Sequence, residues 1–166
     1  MGLPEGQRVG LKSRRKGAVG EQQVGRFLYQ AWFGEEPARQ REVFTRTKPG
    51  CRQREGDLQV PQDFPWLVSV KNQAGSPLTS PRWWRWWREA QGWSEDRLRW
   101  PLLVWRPAPG RWWAAWEGHG PSSYDVEQID SGREAAFRCG TGGFSMARLE
   151  MFCKALQEIR QGSDGG

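Results

Sequence analysis

Tryptophan constrains the fold of this chain more than any other residue, because it occupies 12 of the 166 positions. An indole carries a large apolar surface, and clusters of exposed indoles promote aggregation. Most of these side chains are therefore expected in a core or at an interface. A chain of this length can form one domain with a sizeable core, and we place that domain at residues 17–160.

The charge balance indicates a polyanionic partner. The chain has 25 lysine and arginine residues against 19 aspartate and glutamate residues, which gives a formal net charge of +6. A basic surface favours nucleic acid, and arginine, the more frequent basic residue here, can bind phosphate with two hydrogen bonds and stack on bases. We therefore expect DNA as the partner.

The sequence predicts a cytoplasmic protein, in the host cytoplasm if a phage encodes it. No stretch of about 18 or more apolar residues occurs, so we predict neither a membrane-spanning segment nor a membrane partner. The N-terminus lacks the apolar run of a secretory signal. Cys51, Cys139 and Cys153 are odd in number and widely spaced, which is typical of reduced thiols.

Hydrophobic periodicity predicts an α/β fold in which helices flank a central mixed β-sheet. The predicted helices span residues 18–33, 80–92 and 145–160. The predicted strands span residues 41–47, 56–60, 66–72, 101–106 and 111–116. The basic residues 1–16 are expected to form either a mobile arm along a phosphate backbone or the start of the first helix, and residues 161–166 a flexible tail.

Several polar side chains lie on faces that are predicted to be buried. Leu67, Ser69 and Lys71 share one face of strand 66–72. A half-buried lysine needs a partner, and Asp57 on the preceding strand is the natural one. Glu21 lies on the apolar face of helix 18–33, near its start, where the helix dipole alone is an alternative reason for a glutamate.

Two carboxylates and a lysine from separate elements suit phosphodiester hydrolysis. This reaction needs an activated water and neutralisation of negative charge, and a divalent cation provides both. Since Mg²⁺ prefers oxygen ligands, we expect Glu21 and Asp57 to bind Mg²⁺, with Mn²⁺ able to replace it. Lys71 would then orient or deprotonate the water, or stabilise the transition state.

The order of these motifs resembles the PD-(D/E)xK nuclease superfamily and, within it, the archaeal and phage Holliday junction resolvases. The motifs are Lys16–Gly17 before a helix with Glu21, then Gly56–Asp57, then Ser69-Val70-Lys71. A helix that carries Trp86, Trp87 and Gln91 is also similar to small phage nucleases of this class. The resemblance implies a restriction-endonuclease-like core and a homodimer that resolves a four-way DNA junction by paired, metal-dependent nicks.

Ser69 departs from the family motif, which carries an acidic residue at this position. A serine hydroxyl can bind a metal-bound water but has no charge, so Ser69 is retained as a catalytic candidate beside a plain packing role. Three alternatives stay open for the metal site. Glu21 and Asp57 are its only charged ligands, or Glu89 of helix 80–92 supplies the missing carboxylate, or the protein binds DNA without cutting it.

Shape and phosphate contacts are expected to dominate DNA recognition. The candidate DNA-binding residues are polar or basic and flank the motifs: Arg14, Arg15, Lys16, Gln73, Arg82, Arg85, Arg88 and Gln91. The three arginines of helix 80–92 form one basic edge, unless they are only a solvated helix face. A restriction-like or nicking nuclease on duplex or single-stranded DNA and a catalytically inactive DNA-binding protein are the alternative functions.

Overall fold

A computed structural model describes residues 5–34, 43–48, 50–51, 56–75, 80–95, 99–108, 111–118, 137–139 and 144–163. Its helices are α1 (Glu5–Phe33), α2 (Pro81–Ser94) and α3 (Leu149–Ser163). Its strands are β1 (Thr45–Arg46), β2 (Leu58–Gln59), β3 (Trp66–Lys71), β4 (Trp100–Ala108), β5 (Arg111–Trp116), β6 (Phe137–Cys139) and β7 (Phe144–Arg148). The predicted α/β class and mixed sheet are confirmed.

Among the described residues, the main sheet contains five strands in the order β3-β4-β5-β7-β6. β3 and β4 are parallel, and the other neighbours are antiparallel. Parallel neighbours need a long connection, which here contains α2. β1 and β2 form a separate antiparallel pair beside β3, because the backbone N–H of Asp57 donates to the carbonyl of Val68 at 2.7 Å.

Neighbouring residues of a strand point to opposite faces of the sheet. The sheet therefore has one apolar core on each face. Val68 and Val104 belong to the core that α1 and α3 share with one face. Leu103 and Trp105 pack with the tryptophans of α2 on the other face. Eight of the 12 tryptophans are buried, which confirms the expectation for most of them: Trp32, Trp66, Trp83, Trp86, Trp87, Trp105, Trp112 and Trp116.

The first helix is longer than predicted. It begins at Glu5, so the predicted domain boundary after residue 16 falls inside it and residues 5–16 are helical rather than a mobile arm. The segment contains no proline, and its lysine and arginine residues favour helix. The structure therefore supports the alternative in which this basic segment is the start of the first helix.

The C-terminal region holds two strands that the sequence did not predict. β7 occupies Phe144–Arg148, so the last helix begins at Leu149 instead of residue 145. The pairing of β7 with β5 overrides local helix preference, because it buries Met146 and Ala147. The helix extends to Ser163, which places residues 161–163 in α3, while residues 164–166 of the predicted tail lie outside the described residues.

Two observations bear on the predicted compartment. None of the described helices has the length and apolarity that crossing a bilayer requires. Cys51 and Cys153 are free thiols. Burial, reinforced by the negative charge of Glu150, raises the pKa of Cys153 to about 12, so this thiol stays protonated and unreactive near neutral pH.

Candidate active site

Glu21 lies in the middle of α1 and is buried, with 4% of its surface exposed. Its Oε2 accepts a hydrogen bond from Nε of Arg46 on β1. The guanidinium supplies the positive charge that a buried carboxylate needs. Because α1 begins at Glu5, Glu21 is far from the helix start, and the helix dipole does not explain its presence.

Asp57 is also buried, and three hydrogen bonds fix it against β3. Its Oδ2 accepts from the backbone N–H of Val70 at 2.7 Å and from Ser69 Oγ at 3.4 Å. Its own backbone N–H donates to the carbonyl of Val68 at 2.7 Å. The carboxylate is therefore held beside the residues that directly precede Lys71.

Gly56 allows this arrangement. Its φ is 74°, a left-handed conformation that glycine adopts without strain. A Cβ at this position would lie 2.5 Å from the carbonyl oxygen of Val68. The Gly-Asp pair therefore has a physical reason, since any other residue at position 56 would push Asp57 away from β3.

We expect Gly56→Ala to lower the free energy of unfolding by about 2 kcal/mol or more, from left-handed strain and the backbone clash together. Urea denaturation followed by circular dichroism measures the change. Gly92→Ala in α2 is the matched control, because a Cβ there meets nothing within 4 Å and removal of a helical glycine gains roughly 0.5–1 kcal/mol. Equal stability changes in the two variants would contradict this account of Gly56.

Ser69 occupies the position where the family motif carries an acid. It is completely buried, with 0% exposure, and its Oγ donates to Asp57 Oδ2. A buried hydroxyl requires a hydrogen-bond partner, and the carboxylate provides one. Ser69 therefore helps to orient Asp57, which a purely apolar packing residue would not do.

Lys71 pairs with Glu89, so the predicted Asp57–Lys71 pair is wrong. Its Nζ lies 3.3 Å from Glu89 Oε2 on α2 and 5.6 Å from the centroid of the Trp93 ring. Asp57 Oδ2 already accepts two hydrogen bonds from β3. The flexible ammonium instead reaches Glu89, whose side chain is 41% exposed, and pairing there avoids the cost of burying the charge.

Glu21 and Asp57 are connected through β1. Arg46, which contacts Glu21, pairs with Leu58 in the β1–β2 register. The next residue, Thr47, donates its backbone N–H to the carbonyl of Asp57 at 3.0 Å. Glu21 and Asp57 are thus separated by one short strand.

This donor set fits a hard cation only with water completing the coordination. Carboxylate oxygens are the ligands that Mg²⁺ prefers, and Mg²⁺ retains several waters. Within the described ranges, no group of three or more His, Cys, Asp or Glu side chains is placed to hold a metal ion. A cation at Glu21 would also compete with Arg46 for the same oxygen.

The predicted basic edge of α2 is exposed, because Arg82, Arg85 and Arg88 all face solvent. Gln73, just after β3, is exposed as well. Gln91 takes no part in the contact between Lys71 and Glu89. Its Nε2 instead donates to Glu117 Oε1 at 2.7 Å. The arginines and Gln73 therefore remain accessible to a ligand.

A basic segment inside α1 contacts the residue that follows Lys71. The carbonyl of Lys16 accepts from Asn72 Nδ2 at 2.8 Å, which joins this turn of the helix to the residue after Lys71. Arg14, Arg15 and Lys16 are exposed there. A positive surface thus lies beside the candidate lysine.

Sequence reasoning missed Arg46 and Asn72. Arg46 lies within predicted strand 41–47, but no local signal indicates that it would meet Glu21. Asn72 directly follows the motif lysine, so its position was a signal that could have been used. Arg46 and Glu21 are 25 positions apart in the sequence, and Asn72 and Lys16 are 56 positions apart. Contacts between such distant residues depend on tertiary structure.

Asp57 and Ser69 contact each other at the β3 edge of the sheet, Lys71 lies two residues further along β3, and Glu21 connects to this edge through Arg46 of β1. Oxygen ligands with a nearby cationic group can position a divalent ion, a water and a phosphate. The chain matches no protein-family model, and comparisons with curated proteins and with solved structures likewise found no match.

Proposed function

We propose that this protein is a structure-selective DNA endonuclease with a restriction-endonuclease-like core, which resolves four-way junctions as a homodimer. The observation that carries the proposal is the anchoring of Asp57 to the backbone N–H of Val70, directly before Lys71. This contact joins two separate sequence motifs into one site. Glu21, buried across β1, supplies a second carboxylate from a different element.

Glu21 and Asp57 would hold Mg²⁺ or Mn²⁺, while Glu89 of α2 pairs with Lys71. When bound, a divalent cation supplies an activated water and neutralises charge on the phosphate. Ser69 keeps Asp57 Oδ2 oriented toward β3. Arg46 balances the charge of Glu21 and would have to move for Glu21 Oε2 to act as a ligand.

Lys71 would act on the phosphate or on the attacking water. Its side chain is 19% exposed, so the ammonium is partly desolvated and still reachable. The ion pair with Glu89 holds it in place until a phosphate competes for it. Arg14, Arg15 and Lys16 lie next to this position and would contact the flanking backbone.

The direct test is cleavage of a four-way junction in Mg²⁺, compared with cleavage of its linear arms at the same salt concentration. We expect paired nicks in the junction and little cutting of the arms, because a homodimer presents two identical sites with two-fold symmetry. Equal cutting of both substrates would instead indicate a restriction-like or nicking nuclease.

Ser69→Glu tests how the site holds metal. A third carboxylate beside Asp57 raises the ligand charge, so we expect the Mg²⁺ concentration for half-maximal cleavage to fall about tenfold. Without metal the variant should be less stable, because the added charge is buried beside another carboxylate. Ser69→Gln controls for size without charge. A loss of activity in both variants would show that the serine has its own catalytic part, whereas a loss in Ser69→Glu alone would show that the added charge harms the site.

A catalytically inactive DNA-binding protein is the second candidate function. The specific observation in its favour is that Arg46 already engages Glu21, while Ser69 brings no charge to the motif. Under this alternative the basic surface binds the junction but no hydrolysis follows. Tight junction binding without cleavage in either Mg²⁺ or Mn²⁺ would select it over the nuclease.

A further inference from the structure

A pocket lies away from Glu21 and Asp57, where the end of α2 meets the start of β4 and the residue that follows β5. Its volume is about 760 Å³, within the usual range for ligand sites. The side chains that line it and carry the following argument are Arg88, Gln91, Glu95, Arg99, Trp100 and Glu117. None of them is a candidate catalytic or metal-binding residue, although Arg88 and Gln91 are candidate DNA-binding residues.

Trp100 is the main apolar side chain of this pocket, and it is held in place while exposed. It has 43% of its surface exposed, unlike the eight buried tryptophans. Gly118 packs directly against the indole, because a Cβ there would lie 2.2 Å from both Cγ and Cδ1 of Trp100. The positive φ of Gly118, 94°, allows this close approach. The pocket therefore offers a braced, exposed aromatic surface on which a planar ligand can stack.

Hydrogen-bonding groups in the pocket are also held in position. Gln91 Nε2 donates to Glu117 Oε1 at 2.7 Å, and Trp66 Nε1 donates to the carbonyl of Glu117 at 2.8 Å. A second carboxylate, Glu95, lines the same pocket. Carboxylates accept hydrogen bonds from amino and imino groups, which nucleobases carry on their edges.

Two arginines supply the positive charge of this pocket. Arg88 is exposed on α2, and Arg99 is fixed by a hydrogen bond from its Nη2 to the carbonyl of Pro61 at 3.2 Å. A guanidinium can bind a phosphate with paired hydrogen bonds. An aromatic platform, carboxylates and arginines together suit a nucleotide better than an aliphatic or purely anionic ligand.

The pocket and the active site lie at opposite ends of the same two strands. Trp100 is opposite Trp66 at the start of the β3–β4 register, and Lys71 is at its end. Five residue steps of a strand span roughly 16 Å, which is a few nucleotides of a DNA strand. Arg88 neighbours Glu89, the partner of Lys71, so α2 connects the two places.

We infer that this pocket binds a single unpaired nucleobase with its phosphate, stacked on Trp100 and read by Glu117 and Glu95. The inference deepens the proposed nuclease function and rests on it for the source of the base, which would be an unpaired nucleotide near the cut strand. Base stacking on aromatic side chains is a common, sequence-tolerant way to hold such a nucleotide.

The test uses the full-length protein without metal and the fluorescent nucleotide aminopurine deoxyribose monophosphate. We expect saturable quenching on titration, and a loss of affinity of roughly 5- to 150-fold in Trp100→Ala, the range for one stacked base. Trp84→Ala is the matched control, because Trp84 is similarly exposed, at 36%, but does not line the pocket. Its affinity should equal that of the unchanged protein.

The outcomes separate this inference from the nuclease proposal. Absent quenching, or equal loss of affinity in Trp84→Ala and Trp100→Ala, would overturn the pocket assignment whether or not junctions are cut. Quenching that depends on Trp100 supports the pocket even if the protein cuts no DNA. Glu117→Gln gives a second readout, because it should alter the preference between aminopurine and thymidine monophosphate if the carboxylate reads the base edge.

Discussion

Asp57→Asn is expected to reduce junction cleavage in Mg²⁺ by roughly 100- to 1,000-fold, the usual cost of one preorganised electrostatic contact in an active site. The amide keeps an oxygen that can accept from the Val70 N–H, so the fold around β3 should persist. It removes the negative charge that a cation needs. Single-turnover cleavage of a labelled junction measures the effect.

Junction binding by Asp57→Asn should stay as tight as in the unchanged protein, because the substitution leaves the basic surface intact. Asp63→Asn is the control, since Asp63 is an exposed carboxylate in the turn before β3, with a side chain that is 70% exposed. Full cleavage by Asp57→Asn would exclude Asp57 as a metal ligand and contradict the assignment of the active site. Loss of cleavage in Asp63→Asn would point to a general charge effect instead.

Trp83→Ala is expected to lower the free energy of unfolding by about 3–5 kcal/mol, the usual cost of truncating a large buried aromatic residue. Trp83 is completely buried between α2 and the sheet. Its ring stacks on Trp87 at 5.9 Å and meets Trp105 edge-on at 5.3 Å, measured between centroids. Typical domains are stable by only about 5–15 kcal/mol, so the variant would be close to unfolding.

Trp84→Ala is the natural control for this stability effect. The two tryptophans are adjacent in α2, yet Trp84 is 36% exposed. Its truncation should cost about 1 kcal/mol, near the average for a point substitution. Urea denaturation followed by circular dichroism compares the two variants independently of tryptophan fluorescence. Similar losses would mean that the core between α2 and the sheet is less tightly packed than its ring contacts indicate.

The strongest local signals in the sequence predicted the elements that hold the site. The β-prone run at 66–72 forms β3, and the Ser80–Pro81 start with tryptophans at helical spacing forms α2. In both elements, local preference and burial favour the same structure. The prediction that Glu21 lies on a buried face is also confirmed, because helical periodicity alone determines which residues share a face.

The remaining features depended on contacts between distant residues. β7 forms because β5 is available as a partner, although the local sequence of β7 favours a helix. Lys71 selects Glu89 over Asp57, and this choice depends on how α2 crosses the sheet. Charge type and residue order predicted which groups would gather in the site. They did not predict which of those groups would pair.

The position of Asp57 also affects how these molecules behave toward one another. β3 is the outermost strand of the main sheet, and the free hydrogen-bonding groups of an outermost strand readily pair with a strand from another molecule. Asp57 occupies the carbonyl of Val68 and the N–H of Val70 on that side. The aspartate proposed to bind metal thus also covers part of the open edge of β3, which hinders the addition of a strand from another molecule.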